Sequence, residues 1–369
     1  MIIDRNSPIP QYFQLQRWLV EQLEQGVFKA NDKIPTEAEL VQMTGLARAT
    51  IRQAVQNLVN LGYLVRKRKL GTFVLDKAEE SENQTIVGML LPDIRAGYAP
   101  ELARGAEDEA SKNKQSIILC NTDDLFLKAE FHADRLIDNN VAGVIFVPTA
   151  ASDEKNKYIV EKFTNKNIPV VLADREIPGH SIDLVTTDNF KGAYTLTENL
   201  IKQGHKKIAI TLSTLFSTER QRLEGYKQAL SDNGIKIDSN LIMTHDGLYA
   251  EKYYTEIAHK LFKQKKKFTA IFAGHDRIAY LINSVAMDLG IGIPDDISLV
   301  GYDDLNPSYH NQLDLSTMHQ PIYEMGIESM KLINSRIRGD KSKAKSIVLE
   351  SHLVERSSVF PIKGEVKKE

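Results

Sequence analysis

With one cysteine, Cys120, in 369 residues, the chain cannot form an internal disulfide or a zinc site built from several thiolates. Cys120 closes the apolar run Ile117-Ile118-Leu119, where a small buried strand residue is expected. Long apolar runs are missing as well. The stretches 86–92 and 142–148 fall far short of the ~20 residues a membrane helix needs. No charged start, apolar run and small-residue cleavage site follows Met1, so a cytoplasmic location without membrane attachment is expected. Catalytic signatures are equally scarce. No Gly-x-Ser-x-Gly elbow, Gly-Lys-Ser phosphate loop, His-Glu-x-x-His pair or paired-cysteine site occurs, and His310 and His319 are not spaced as ligands on one helix. The expectation is a non-enzyme with no metal and no cofactor.

What is present is an ordinary globular composition, 42% hydrophobic and 26% charged, long enough for two or three domains at ~150 residues each. A net charge of -2 hides a split between the ends. Residues 1–75 hold ten Lys and Arg against six Asp and Glu, which is +4 and leaves -6 for the rest. A basic head on an acidic body suits a DNA-binding module joined to something else.

Within the head, Tyr12, Leu15, Leu19 and Leu23 recur at helical spacing before Gly26, predicting a helix over about 10–25. Thr36 and Glu39 form a capping-box pattern that starts a second helix, and Gly45 can take the left-handed backbone that ends it. A third helix over 48–61 turns Ile51, Ala54, Val55 and Leu58 to one face and Arg48, Arg52, Gln53 and Gln56 to the other. Arginines suit guanine edges and phosphates, glutamines adenine edges. A surface ion pair with the acidic second helix is the competing role for each arginine. Gly62 closes this helix, and 63–65 and 72–75 read as short strands around the cationic tip Lys67, Arg68, Lys69, Leu70 and Gly71. Such a tip can lie on phosphates or reach into a minor groove.

These residues resemble the GntR-type winged helix-turn-helix regulators over about 70 residues. The Pro35-Thr36-Glu37 start, the block from Gly45-Leu46-Ala47-Arg48-Ala49-Thr50-Ile51-Arg52 to Gln53-Ala54-Val55, and the closing Gly71-Thr72-Phe73-Val74 carry the likeness. The resemblance implies DNA contact by Thr36 and Glu37, by Arg48, Thr50 and Arg52, and by the wing around Gly71. Ala47 stands where the family usually has serine or threonine, which removes a helix cap worth ~1 kcal/mol. Lys69 replaces a common wing glycine, which favours a side-chain contact over close backbone approach.

Residues 76–85 contain almost nothing apolar and read as a linker. Beyond them the buried-strand candidates 86–91, 117–120, 144–147, 170–173, 208–212, 270–273 and 297–302 alternate with helical patterns, predicting α/β parallel sheets. Ligands bind such sheets beyond the strands' carboxyl ends. Found there are Tyr98, Asp174 and Arg175, His275 and Asp276, and Asp303 and Asp304, with Arg222 early in a helix. Carboxylates, arginines and an aromatic ring suit a polyhydroxylated ligand, though a lone charged loop residue is more often merely solvated.

This part resembles the LacI/GalR repressors and the related periplasmic sugar-binding proteins over about 270 residues. Val87-Gly88-Met89-Leu90-Leu91-Pro92-Asp93, Pro169 through Asp174-Arg175, Arg222-Leu223-Glu224-Gly225-Tyr226, Pro294 through Asp303-Asp304, and Gln320-Pro321 carry it. It implies two α/β lobes joined by three strands, a small molecule in the cleft, homodimerisation, and ligand contact by Arg175, Arg222 and Asp303, with Asp174 and Tyr98. His275 departs from the family's usual asparagine, which alters the sugar preference because either tautomer of an imidazole offers fewer hydrogen-bonding groups than the amide.

The fold expected is therefore an N-terminal winged helix-turn-helix, 1–75, the linker 76–85, a two-lobed periplasmic-binding-protein-like domain over 86–360, and a charged tail, 361–369. The lobes are expected at 86–188 with 317–340 and at 189–316 with 341–360. The combination resembles the arabinose-repressor type of hybrid regulator. It implies a repressor that binds double-stranded operator DNA as a homodimer and answers to a monosaccharide, arabinose or another sugar. A sugar-binding receptor without DNA function and a regulator sensing a non-sugar metabolite stay open.

Overall fold

In the computed structural model, described for residues 3–5, 7, 9–68, 70–75, 85–95, 97–247, 251–263, 268–305 and 313–362, the chain divides into two units, 1–84 and 85–369. Lys69, His310, most of the expected linker and most of the tail lie outside the described residues. None of the described helices is long and apolar enough to cross a membrane.

In the first unit, α1 spans Gln11–Glu24, α2 Glu37–Thr44 and α3 Arg48–Asn60. The capping box at α2 is complete: the Glu39 amide donates to Thr36 Oγ1 at 3.3 Å and the Thr36 amide to Glu39 Oε2 at 2.6 Å. Gly45 ends α2 at φ +66°, a backbone that side chains with Cβ resist. Ile51, Ala54, Val55 and Leu58 of α3 join Leu15, Leu19 and Leu40 in one buried core. Ala47 caps α3 with no side-chain bond. Ala47→Ser should therefore stabilise the head by ~1 kcal/mol, raising its melting temperature by ~4–8 °C. Trp18, the only tryptophan, lies in α1 and reports that transition by fluorescence. An unchanged midpoint would mean that solvent already satisfies this helix end.

The strands β1, Leu64–Lys67, and β2, Gly71–Val74, pair antiparallel from Leu64↔Val74 to Lys67↔Gly71, two residues nearer the tip on β1 than the pattern predicts. The segment before α2 joins them. Ile34 N–H donates to Thr72 at 3.0 Å and Val74 N–H to Asp32 at 2.8 Å, which ties the hairpin to the start of α2.

The second unit runs β3 (Ile86–Leu91), α4 (Ala99–Lys112), β4 (Ser116–Asn121), α5 (Phe126–Asp138), β5 (Gly143–Phe146), α6 (Asp153–Thr164), β6 (Val170–Ala173), β7 (Asp183–Thr187), α7 (Asn189–Lys202), β8 (Ile208–Ser213) and α8 (Ser217–Asp232). It continues with β9 (Ile242–His245), α9 (Glu251–Lys263), β10 (Ala270–Ala273), α10 (Asp276–Asp288), β11 (Ser298–Asp303), β12 (Ser316–His319), α11 (Ile322–Ile337), β13 (Ser346–Leu349) and β14 (His352–Val354). Two six-stranded sheets result, ordered β13-β7-β6-β5-β3-β4 and β14-β12-β11-β10-β8-β9. Each has an apolar core on both faces, which explains why most of their strands are continuous apolar runs.

The final crossings differ from the expected lobe boundaries. Strand β12, at 316–319, stays in the second sheet beside β11, and β13, at 346–349, returns to the first beside β7. A buried clamp directs that return. Arg336 bonds both carboxylate oxygens of Asp183, from Nε at 2.6 Å and Nη2 at 2.8 Å, and also holds the carbonyls of Asp340, Ser342 and Lys343. The Lys345 amide donates to the same carboxylate, so the chain reaches β7 in register. Helix α11 crosses α4 so closely that a Cβ on Gly105 would lie 2.0 Å from the Tyr323 carbonyl. That crossing fixes the helix whose start carries Tyr98.

Candidate functional site

The sheets of the second unit present their carboxyl ends to one cleft. All six expected ligand residues line it: Tyr98 before α4, Asp174 and Arg175 after β6, Arg222 on α8, His275 before α10, and Asp303 at the end of β11. Asp174 and Asp303 take left-handed backbones, φ +64° and +108°. Such strain in non-glycine residues persists only where the surroundings hold it, as at ligand sites.

Arg222 is the centre of the second lobe's wall. Its Nε donates to Asn189 at 2.8 Å, its Nη1 to the Gly274 carbonyl at 2.7 Å and its Nη2 to Asp303 at 3.3 Å, while its plane lies 3.7 Å from the Tyr302 ring centroid. Asp303 also accepts from Gln320 Nε2 at 2.7 Å, and Gln320 in turn accepts from the Thr187 hydroxyl. Of the residues next to two of the inter-lobe crossings, Gln320 thus bonds the carboxylate in the cleft and Thr187 reaches it through Gln320.

Across the cleft, Arg175 bonds Asp124 and the Pro148 carbonyl, the latter at 2.9 Å, and lies 3.9 Å from the Phe216 ring. Among the described residues its Nε, 3.7 Å from Asp174, makes no hydrogen bond, and the buried Tyr98 hydroxyl makes none of good geometry, with the Asp174 carboxyl beside it. Buried polar atoms are nearly always satisfied, so two under-satisfied atoms on one cavity wall call for an explanation.

Burial sets the ionisation here. It pushes the Asp303 carboxyl up to about 6 and Glu219 up to about 7 against the opposing pull of Arg222. Burial and the nearby arginines hold His275 down at about 3, so its imidazole is neutral. Behind the cleft, Asp276 accepts from Thr317 Oγ1 at 2.7 Å and from the Leu305 amide at 2.8 Å. Burial, with Asp303 nearby, raises it to about 8.

Glu219 and Asp276 would titrate near 4 in the unfolded chain. From about pH 7 to about pH 9 the folded state holds protons that the unfolded state has lost, so stability should fall as pH rises. Histidines held neutral by burial act in the opposite sense only below ~6.5, outside this window. Thermal unfolding of the second unit should show the fall, and Asp276→Asn should flatten its upper part. A melting temperature that does not fall over this range would mean that both carboxyls are ionised when folded.

Asp124, Phe216, Glu219 and Gln320 also line the cleft and were not singled out as ligand residues. Gln320 stands in the Gln320-Pro321 pair that carried the family likeness. Asp124 and Phe216 sit three residues beyond the carboxyl ends of β4 and β8, where the strand-end rule applied to 117–120 and 208–212 could have found them.

On the first unit, Arg48, Arg52, Lys67 and Arg68 are exposed, Thr36 caps α2, and Thr50 is half-buried on α3. Arg52 is 3.3 Å from Glu37, the ion pair weighed above, and Arg66, which the sequence did not single out, is 3.6 Å from the same carboxylate. Glu37 so joins α2, α3 and the hairpin. At 65% side-chain exposure for Arg52 this pairing is worth less than ~1 kcal/mol and leaves the guanidinium available. The Lys67 ammonium lies 5.0 Å from the Phe73 ring, and a Cβ on Gly71 (φ +123°) would meet the Lys33 side chain at 2.6 Å.

Comparison with known proteins divides the chain in the same way. Residues 11–74 match the family described as bacterial regulatory proteins, gntR family, and residues 197–359 match the periplasmic binding protein-like domain. The arabinose metabolism transcriptional repressor of Geobacillus stearothermophilus is 27% identical over 97% of this chain and all of its own length. Catabolite control protein A of Priestia megaterium is 29% identical over 86% of this chain and 96% of its own. A crystal structure of a LacI family transcriptional regulator from Enterococcus faecium, with bound ribose, superposes with a TM-score of 0.67 at 28% identity, covering 76% of this chain and all of that one.

Proposed function

We propose, for a chain that carries a gntR-type helix-turn-helix domain and a periplasmic-binding-protein-like domain, that it is a DNA-binding transcriptional repressor whose operator affinity is set by a neutral sugar. The observation that carries the effector half is the pair of buried, under-satisfied atoms among the described residues, Tyr98 Oη and Arg175 Nε, in a cleft where carboxyls outnumber guanidiniums. Asp93, Asp124, Asp174, Glu219 and Asp303 face Arg175, Arg222 and Arg277 there. An added phosphate or carboxylate would meet repulsion, whereas sugar hydroxyls both donate to carboxylates and accept from N–H groups.

In this reading Asp174, Arg175, Arg222 and Asp303 bond ring hydroxyls, Tyr98 adds its hydroxyl and ring, and neutral His275 offers one donor and one acceptor. Sugar binding alters lobe closure and so the freedom of the two heads of a cytoplasmic homodimer. The shift in operator affinity equals the difference in sugar affinity between the two closure states. Thr36, Glu37, Arg48, Thr50 and Arg52 dock α2 and α3 on a major groove, with Lys67, Arg68, Lys69 and Gly71 on the adjacent backbone or minor groove.

A thermal-shift screen of the intact chain tests the effector. A neutral sugar at 100 times its dissociation constant should add ~2.7 kcal/mol of stability, and its phosphate ester much less. Tighter binding of the ester would overturn the neutral-ligand assignment. For the hairpin, Lys67→Ala should reduce the slope of log affinity for DNA against log salt by ~0.9 with base preference unchanged. An unaltered slope would remove Lys67 from the phosphate contacts.

A further inference from the structure

Three arginines of the head lie against carboxylates: Arg17 against Glu21 at 3.2 Å, and Arg52 and Arg66 against Glu37. Arg5 is exposed and, among the described residues, pairs with no carboxylate. The chain carries it instead to the turn between α2 and α3. Ile3 is buried in the core of the head with Leu15 and Ile51. Beside it, one side chain of α1 holds both backbone groups of Asp4: the Asp4 amide donates to Gln14 Oε1 at 2.9 Å, and Gln14 Nε2 donates to the Asp4 carbonyl at 3.0 Å. Gln14 Nε2 also donates to the Ile9 carbonyl at 2.7 Å. A carboxamide supplies donor and acceptor at once, as a strand partner would, so the backbone on the near side of Arg5 is fixed.

From that position Arg5 Nη2 donates to the Gly45 carbonyl at 3.4 Å. A Cβ on Gly45 would lie 3.1 Å from the same nitrogen, so glycine gives the guanidinium room to lie against the turn. The turn is itself held: the Gly45 amide donates to the Val41 carbonyl at 2.8 Å, the Leu46 amide to Thr44 Oγ1 at 3.3 Å, and Leu46 is buried. Ala47, which follows, brings no side-chain donor to the start of α3.

A helix with its side chains is ~10–12 Å across and a major groove ~12 Å wide, so groups that flank the first turn of an inserted helix meet the sugar-phosphate walls. Arg5 flanks the first turn of α3. One N–H given to Gly45 leaves the other donors of a planar fork whose geometry matches two phosphate oxygens. We propose that Arg5 is a DNA phosphate contact of this chain, held at the α2–α3 turn by the docked segment Ile3-Asp4-Arg5, with Gln14 as its positioning residue. This rests on the DNA-binding reading of the head.

The test is titration of the intact chain, over a range of salt, against a duplex selected from a random pool and against a scrambled copy of it. Arg5→Ala should weaken binding to both duplexes alike, by about tenfold, and lower the slope of log affinity against log salt by ~0.9. Arg5→Lys should keep the slope. Arg17→Ala removes the same charge from the exposed side of α1 and should leave both quantities unchanged. Gln14→Ala should weaken binding less than Arg5→Ala, and the double variant no more than Arg5→Ala alone, since the glutamine acts through the arginine. Trp18 fluorescence checks that each variant melts as a folded head. An unaltered slope in Arg5→Ala overturns the proposal, and so does an equal fall in Arg17→Ala, which would reflect net charge only. A lost preference for the selected duplex at unchanged slope overturns it too, because Arg5 would then act by shaping α3. In all three cases the DNA-binding reading stands. Failure of the unmodified chain to bind any duplex would overturn that reading and the proposal with it.

Discussion

Arg222→Ala should abolish the response to effector and lower the melting temperature of the second unit by about 6–20 °C. The guanidinium is buried and spends its donors on Asn189, the Gly274 carbonyl and Asp303 while stacked on Tyr302. Removing it leaves the Asp303 carboxylate without its cation and the Gly274 carbonyl without its donor. Loss of one member of a buried pair costs ~3–5 kcal/mol, and each kcal/mol moves the midpoint of a domain this size by ~2–4 °C. Most of that cost is the orphaned charge, so adding Asp303→Asn to the variant should return part of the stability but none of the effector binding. Arg222→Lys should rescue little, because a single ammonium cannot serve three partners spread around a planar fork. Differential scanning calorimetry with and without ligand reads both effects. A variant with wild-type stability and ligand response would remove Arg222 from the site.

The second large effect is expected at the other end of the chain. Arg52→Ala should weaken operator binding about 5- to 150-fold and relax base preference at one position of each half-site, the loss of ~1–3 kcal/mol that follows from a missing bidentate base contact. The stability of the head should barely change, since the Arg52 pair with Glu37 is solvent-exposed. Arg52→Lys keeps the charge and loses the fork, so it should retain salt-dependent binding and lose the base preference. Titrating the intact protein against the operator and its single-base variants separates the two. Unchanged operator affinity in Arg52→Ala would mean that α3 does not read the bases.

Much of this molecule was legible before its structure, for identifiable reasons. Helices α1 to α3 announce themselves through local signals: the Thr36–Glu39 capping box, Gly45, and the apolar face from Ile51 to Leu58 all act within one or two turns. Strands β3, β5, β6, β8 and β10 are buried on both faces and so must be apolar at nearly every position. Strand β12 escaped notice because Ser316-Thr317-Met318-His319 looks like a loop. It is a buried strand because its polar groups find partners about 40 residues away: Ser316 with Ser358 and Arg356, Thr317 with Asp276. Strand β13 was placed with the wrong lobe, since nothing near 346–349 reveals that Asp183 and Arg336 will draw it to β7.

The same division holds for the cleft. Short-range order along the chain determined that there is a helix-turn-helix head, that an α/β body follows, and that Asp174, Arg175, His275 and Asp303 stand at strand ends, because each of these depends on neighbours a few residues apart. Only the tertiary structure decided that Arg175 would pack on Phe216 and Arg222 on Tyr302, that Tyr98 Oη and Arg175 Nε would be under-satisfied among the described residues, and that Glu219 would titrate near neutrality. Those properties come from desolvation and from contacts between residues far apart in sequence, and both exist only once the two sheets have brought their strand ends to the same cavity.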